Sequence, residues 1–84
     1  MLARENGLDI PRLGLVVSTR CAKNSVIRNR IKRLIRESFR LHQENLCGLD
    51  IVVIGRAGID KQTNQEVLDA LRGHWSQLER CVNR

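Results

Sequence analysis

The sequence predicts a single α+β domain, and three observations carry that prediction. Two runs, Arg12 to Ser18 and Asp50 to Arg56, have the composition and period of strands. A segment from about Ser25 to Glu44 gathers its apolar residues on one helical face. Thr63-Asn64-Gln65-Glu66 is a capping box, the local signature of a helix start. With 84 residues in all, the chain has room for one core, covering residues 1–84 as one unit.

The elements follow in order. Residues 1–11 read as a short strand from Met1 to Arg4, a turn at Asn6-Gly7 and a loop closed by Pro11. Asn-Gly signals a hairpin where strands flank it, so this hairpin is either vestigial or interrupted by the start of the chain. In the strand Arg12 to Ser18, Leu13, Leu15 and Val17 share one side, and Gly14 on the other suggests close approach of a backbone or ligand. The run Asp50 to Arg56 is apolar on both faces, as in a central strand. The helix opened by Thr63 has the stripe Val67, Leu71, Trp75, Leu78 and Val82, which assigns Trp75 to the core. Gly73 inside that helix costs about 1 kcal/mol relative to Ala, with no evident reason.

Composition narrows the function. No apolar stretch approaches the roughly 18 residues of a membrane span, and Met1 to Gly7 lacks a signal peptide's apolar core. A cytoplasmic protein is expected, with Cys21, Cys47 and Cys81 as reduced thiols. His42 and His74 have no partner at metal-ligand spacing. The nine acids are dispersed, which gives no carboxylate cluster for metal-dependent cleavage and no candidate catalytic or metal residue. The chain is expected to have no hydrolytic activity alone.

The net charge is +6, and its distribution is uneven. Arg20, Lys23, Arg28, Arg30, Lys32, Arg33, Arg36 and Arg40 face a single acid, Glu37, between residues 20 and 40, a local net of +7. The rest of the chain carries −1. Twelve Arg against three Lys favour planar, bidentate contacts over diffuse attraction. At 100° per residue, Ile27, Ile31, Leu34, Ile35, Phe39 and Leu41 share an arc of about 160°. Lys32, Arg36, Asn29, Arg40 and Arg33 lie opposite, with Arg28 and Arg30 on the two shoulders and Asn24 or Ser25 as the N-cap. A merely solvated face would mix its charges at i,i+4 spacing, whereas this one repels itself, so a polyanionic partner is favoured. Membrane binding would need a free apolar face with interfacial aromatics. The only two aromatics, Phe39 and Trp75, sit on apolar faces, so the surface clamps phosphates and reads few bases. Arg30→Ala or Arg33→Ala is expected to weaken RNA binding with the thermal midpoint almost unmoved.

The run Arg12-Leu-Gly-Leu-Val-Val-Ser18, then Asn24, then Arg28-Asn-Arg-Ile-Lys-Arg-Leu-Ile-Arg-Glu37 strongly resembles the protein component of bacterial ribonuclease P. The strand from Asp50 and the closing helix also match, so the resemblance covers essentially the whole chain. It implies a fold like domain 2 of ribosomal protein S5, a mixed sheet packed on helices with a left-handed βαβ crossover, where general rules favour the right-handed form. It also implies a small subunit of a ribonucleoprotein whose RNA removes 5′ leaders from precursor tRNA. Arg28, Asn29, Arg30, Lys32, Arg33 and Arg36 would contact that RNA and support its metal ions, with Mg2+ held mainly by the RNA and none by the protein alone. Ser18, Arg20 and Asn24 would line the junction with the substrate leader. Arg40, Lys23 and Arg12 complete the candidate RNA-binding set.

The chain departs from the pattern in two places. The family opens with a basic helix and a strand that carry the aromatics of a leader cleft, and neither precedes Met1 here. Residues 18–20 read Ser-Thr-Arg where many members have Ser-Lys-Lys. A homodimer through the N-terminal strand, or loose folding there, is therefore expected. The alternatives are a free-standing RNA-binding protein of the same fold, ribosomal or chaperone-like, and a scaffold whose basic helix docks an acidic protein.

Overall fold

A computed structural model describes residues 2–20 and 22–82, with side chains through Arg80. Cys21 and the side chains of Cys81 and Val82, named above as two of the three reduced thiols and a stripe member, lie outside the described residues. The elements are β1 (Leu2–Glu5), β2 (Arg12–Val16), α1 (Ser25–His42), β3 (Leu49–Ile54) and α2 (Asn64–Val82), with short 3-10 turns at Gln43–Leu46 and Ile59–Lys61. The chain is thus α+β.

The sheet order is β1-β3-β2. Strand β3 is central, as its two apolar faces require; it pairs parallel with β2 and antiparallel with β1. Leu49, Ile51 and Val53 point to the helices and are buried. The parallel β2–β3 pair is joined through α1, which therefore crosses over the sheet.

Asn6-Gly7 does not close a β1–β2 hairpin, because β1 pairs with β3 instead. The Asn-Gly pair still turns the chain: Gly7 has φ 71°, and the Asn6 side chain accepts from the Leu8 amide at 2.7 Å. The Asn6 amide donates to the Gly48 carbonyl at 2.9 Å, which ties the turn to the start of β3. Gly14 is not a close approach either. A Cβ there would meet Val52 Cγ2 at 3.6 Å, ordinary contact distance.

Helix α1 starts where Asn24 accepts from the Val26 amide at 2.8 Å and so satisfies one orphan donor of the first turn. Its inward face buries Ile31 and Ile35 fully, with Ile27, Leu34 and Phe39 partly covered. Leu41 is the exception to the predicted arc, at 76% exposed. It sits at the edge of the arc in the last turn, and the chain then tightens into a 3-10 turn that buries Leu46 instead. Helix α2 is capped as predicted: the Glu66 amide donates to Thr63 Oγ1 at 3.1 Å, and the Thr63 amide donates to Glu66 Oε1 at 3.2 Å. Its stripe of Val67, Leu71 and Trp75 is buried, and Leu78 is half-buried against it.

Trp75 is fully buried and joins the two helices. Its ring lies edge-on to Phe39 with centroids 5.9 Å apart, and its Nε1–H donates to Ser38 Oγ at 2.8 Å. Neither aromatic is available to stack on a base.

Candidate nucleic-acid interface

The outward face of α1 carries the cationic ridge. Asn29, Arg33, Arg36 and Arg40 are exposed along it, and Lys32 is half-buried at its margin. Among the described residues none of these cations forms an ion pair with a carboxylate. The first turn of α1 holds no acid either, so positive charge stands at the positive end of the helix dipole. This arrangement is strained in isolation. An anion lying along the ridge relieves it.

The two shoulder arginines behave differently from the ridge. Arg28 is half-buried, and its Nη1 donates to the carbonyls of Ala22 and Lys23, each at 2.9 Å. Arg30 is half-buried as well, and its Nε and Nη2 are shielded from solvent without a hydrogen-bond partner among the described residues. The expectation that Arg30→Ala leaves the thermal midpoint unmoved is therefore corrected: part of that side chain is inside. Arg33, fully on the exposed face, remains the clean probe.

Strand β2 passes into the loop that holds Ser18, Arg20, Lys23 and Asn24, all exposed. The strand itself ends at Val16, two residues before the predicted Ser18. The loop is anchored from below by Ala22, whose side chain is 1% exposed in the core and whose amide donates to the Ser18 carbonyl at 3.2 Å. Lys23 and the N-cap Asn24 lead directly into α1, so the charge of Lys23 adjoins the first turn of the helix along the chain.

Arg12 lies elsewhere, on the sheet face turned away from the helices. Its guanidinium grips Asp50 through two bonds of 2.6 Å, Nε to Oδ1 and Nη2 to Oδ2. Arg4, Asp50 and Arg12 are in register across β1, β3 and β2, and Arg4 approaches Asp50 to 3.9 Å. Asn6 Nδ2 adds a bond to Asp50 Oδ1 at 3.0 Å. The bonds from Arg12, then from Asn6, pull the Asp50 carboxyl from its ordinary 3.8 down to about 2, against a smaller opposing effect of desolvation. The same pairing raises the Arg12 pKa. Sequence reasoning placed Arg12 in the binding set and missed its partner. Asp50 opens an otherwise apolar strand, and that misplaced charge was the available signal.

Cys47 is a free, exposed thiol. Among the described residues, no group of three His, Cys, Asp or Glu side chains could hold a metal ion, and no helix is long and apolar enough to cross a membrane.

Residues 1–79 match the ribonuclease P family model. The chain belongs to the ribonuclease P protein family. The ribonuclease P protein component of Azotobacter vinelandii is 54% identical over 80 residues, which is 95% of this chain and 62% of that protein. That of Pseudomonas aeruginosa is 55% identical over 80 residues, 95% of this chain and 59% of that protein. The chain thus spans about three fifths of the length of the curated relatives it matches. Among solved structures, the ribonuclease P protein of Thermotoga maritima, bound to 1-(4-fluorophenyl)-2-thiourea, superposes with a TM-score of 0.77 at 35% identity, covering 87% of this chain and 72% of that one. The Staphylococcus aureus protein gives 0.77 at 36% identity, covering 84% and 65%.

Proposed function

We propose that this protein is the accessory subunit of ribonuclease P, which binds the catalytic RNA and the 5′ leader of precursor tRNA and so assists endonucleolytic 5′ maturation. The observation that carries the reading is the ridge of Asn29, Arg33, Arg36 and Arg40, exposed and without a carboxylate partner among the described residues. Its cations neutralise phosphates of a folded RNA, and the fixed fork of each guanidinium selects paired oxygens. The loop of Ser18, Arg20, Lys23 and Asn24 extends the same surface toward the substrate leader. Catalysis belongs to the RNA subunit, which also holds the Mg2+; the protein supplies positive charge that lowers repulsion between two RNAs. On this reading the protein works in the bacterial cytoplasm.

The test adds the purified protein to the ribonuclease P RNA of Pseudomonas aeruginosa and a precursor tRNA at low magnesium. Cleavage at the mature 5′ end is expected to be stimulated, with none from the protein alone. RNA binding without stimulated cleavage overturns the reading in favour of a free-standing RNA-binding protein. Preferential binding to an acidic protein overturns it in favour of a scaffold. Strand β1 is an edge of the sheet with Leu2 63% exposed, so pairing of two copies through it is part of the proposal. Sedimentation at micromolar concentration checks this, and a monomer throughout counts against it.

A further inference from the structure

We propose that Arg28 is a positioning residue, which acts on RNA by holding the backbone of Ala22 and Lys23 ahead of α1 and does not itself clamp a phosphate. The inference rests on the RNA-binding function proposed above and assigns its shoulder arginine a different task from the ridge. Arg28 Nη1 lies 2.9 Å from the carbonyl oxygens of both Ala22 and Lys23. Two successive carbonyls turned to one nitrogen use both of its N–H groups, and charge-assisted bonds of this kind are roughly twice as strong as neutral ones. Without Arg28, those two carbonyls lose their side-chain donor.

Three tethers fix residues 22–24, the described segment ahead of α1. Ala22 is seated in the core, Asn24 caps α1 through the Val26 amide, and Arg28 holds the two carbonyls between them. Above the tethers stand Arg20 and Lys23, both exposed, with Ser18 and Asn24 beside them. Backbone held from beneath keeps the loop's two cations at fixed positions relative to Arg33 and Arg36 on the ridge. Preorganisation of this sort spares the ordering entropy that a free loop loses on binding. Arg28 is half-buried like Arg30, but only Arg28 has backbone carbonyl partners among the described residues.

A double-mutant cycle separates positioning from contact, because residues acting through one another are non-additive and independent ones add. The probe is the Pseudomonas aeruginosa ribonuclease P RNA, and the readout is its dissociation constant. Arg28→Ala alone is expected to weaken binding about ten-fold, the scale of ordering the loop's two cations anew on binding. In an Arg20→Ala, Lys23→Ala background the further loss should shrink to about two-fold, since the loop no longer presents cations. In an Arg36→Ala background it should stay near ten-fold. Exchange of the Ala22 amide should quicken in Arg28→Ala, with the other core amides unchanged. An equal loss in every background overturns the inference: with unchanged Ala22 exchange it makes Arg28 a direct phosphate contact, and with a lowered thermal midpoint a merely structural residue. Unchanged affinity also overturns it. If Arg28→Ala does not fold, Arg28→Lys runs the same cycle. If the unsubstituted protein does not bind the transcript, the proposed function falls, and Ala22 exchange still reports whether Arg28 holds the loop.

Discussion

Ser38 lies within the inward face of α1 and is buried, yet it is polar. Its role is set by a residue 37 positions away: Trp75 Nε1–H donates to its hydroxyl at 2.8 Å. An indole N–H buried without an acceptor costs about 1–3 kcal/mol. Ser38→Ala is therefore expected to destabilise by that amount in urea denaturation, with RNA affinity unchanged where the protein is folded. Asp50 is the second residue whose partners decide its behaviour. Its carboxyl pKa falls from 3.8 to about 2 on folding, mainly through Arg12 and then Asn6. A depressed folded pKa stabilises the native state above the unfolded value, and that contribution is lost as pH falls through the folded one. Stability should thus decline between about pH 4 and pH 2. In Asp50→Asn that part of the decline should vanish, with lower stability at pH 7; an unaltered acid transition would show that the clamp does not matter.

At the level of elements, the predicted centres and the helix N-termini survive, while several C-terminal ends move. The arc of α1 correctly placed Ile31, Ile35 and Phe39 inward, because helical period alone fixes which side chains share a face. Its end did not follow, since Leu41 is exposed and Leu46 of the 3-10 turn takes the buried place. The capping box of α2 formed as read, since all its atoms lie within four residues. Gly73 remains unexplained within that helix: a Cβ there meets nothing within 4 Å. Gly73→Ala should accordingly stabilise by about 0.5–1 kcal/mol, seen as a raised thermal midpoint. A lowered midpoint would reveal a need for glycine that the packing does not.

Across the whole molecule, the cations divide by whether they have a carboxylate partner. Arg33, Arg36 and Arg40 stand exposed on α1 without one among the described residues, while Arg4 and Arg12 flank Asp50 on the sheet face turned away from the helices. Binding by phosphate neutralisation through about four to six cations should give a slope of log K against log salt near −3 to −4 for single-stranded or looped RNA. Arg33→Ala should reduce that slope by about 0.7 with the thermal midpoint almost unmoved. Arg12→Ala should leave it nearly unchanged, because that guanidinium is committed to Asp50. A slope near zero would remove the electrostatic basis of the interface.

The sequence by itself determined the class of fold, the central strand, both helices with the capping box of α2, and the concentration of charge on one helix. These properties are local in chain or additive in charge, so period, capping and counting suffice to read them. Only the tertiary structure decided that β1 pairs with β3 and not across the Asn6-Gly7 turn, because strand pairing depends on which edge the rest of the chain leaves open. It alone gave Trp75 its acceptor in Ser38 and Arg12 its partner in Asp50. It also divided the cations, committing Arg28 to the carbonyls of Ala22 and Lys23 while Arg33, Arg36 and Arg40 face outward. A helical wheel sets Arg28 on a shoulder of the ridge but cannot name the carbonyls it binds. Hydrogen bonds depend on direction and on distances of about 3 Å between residues far apart in sequence, which no count along the chain contains.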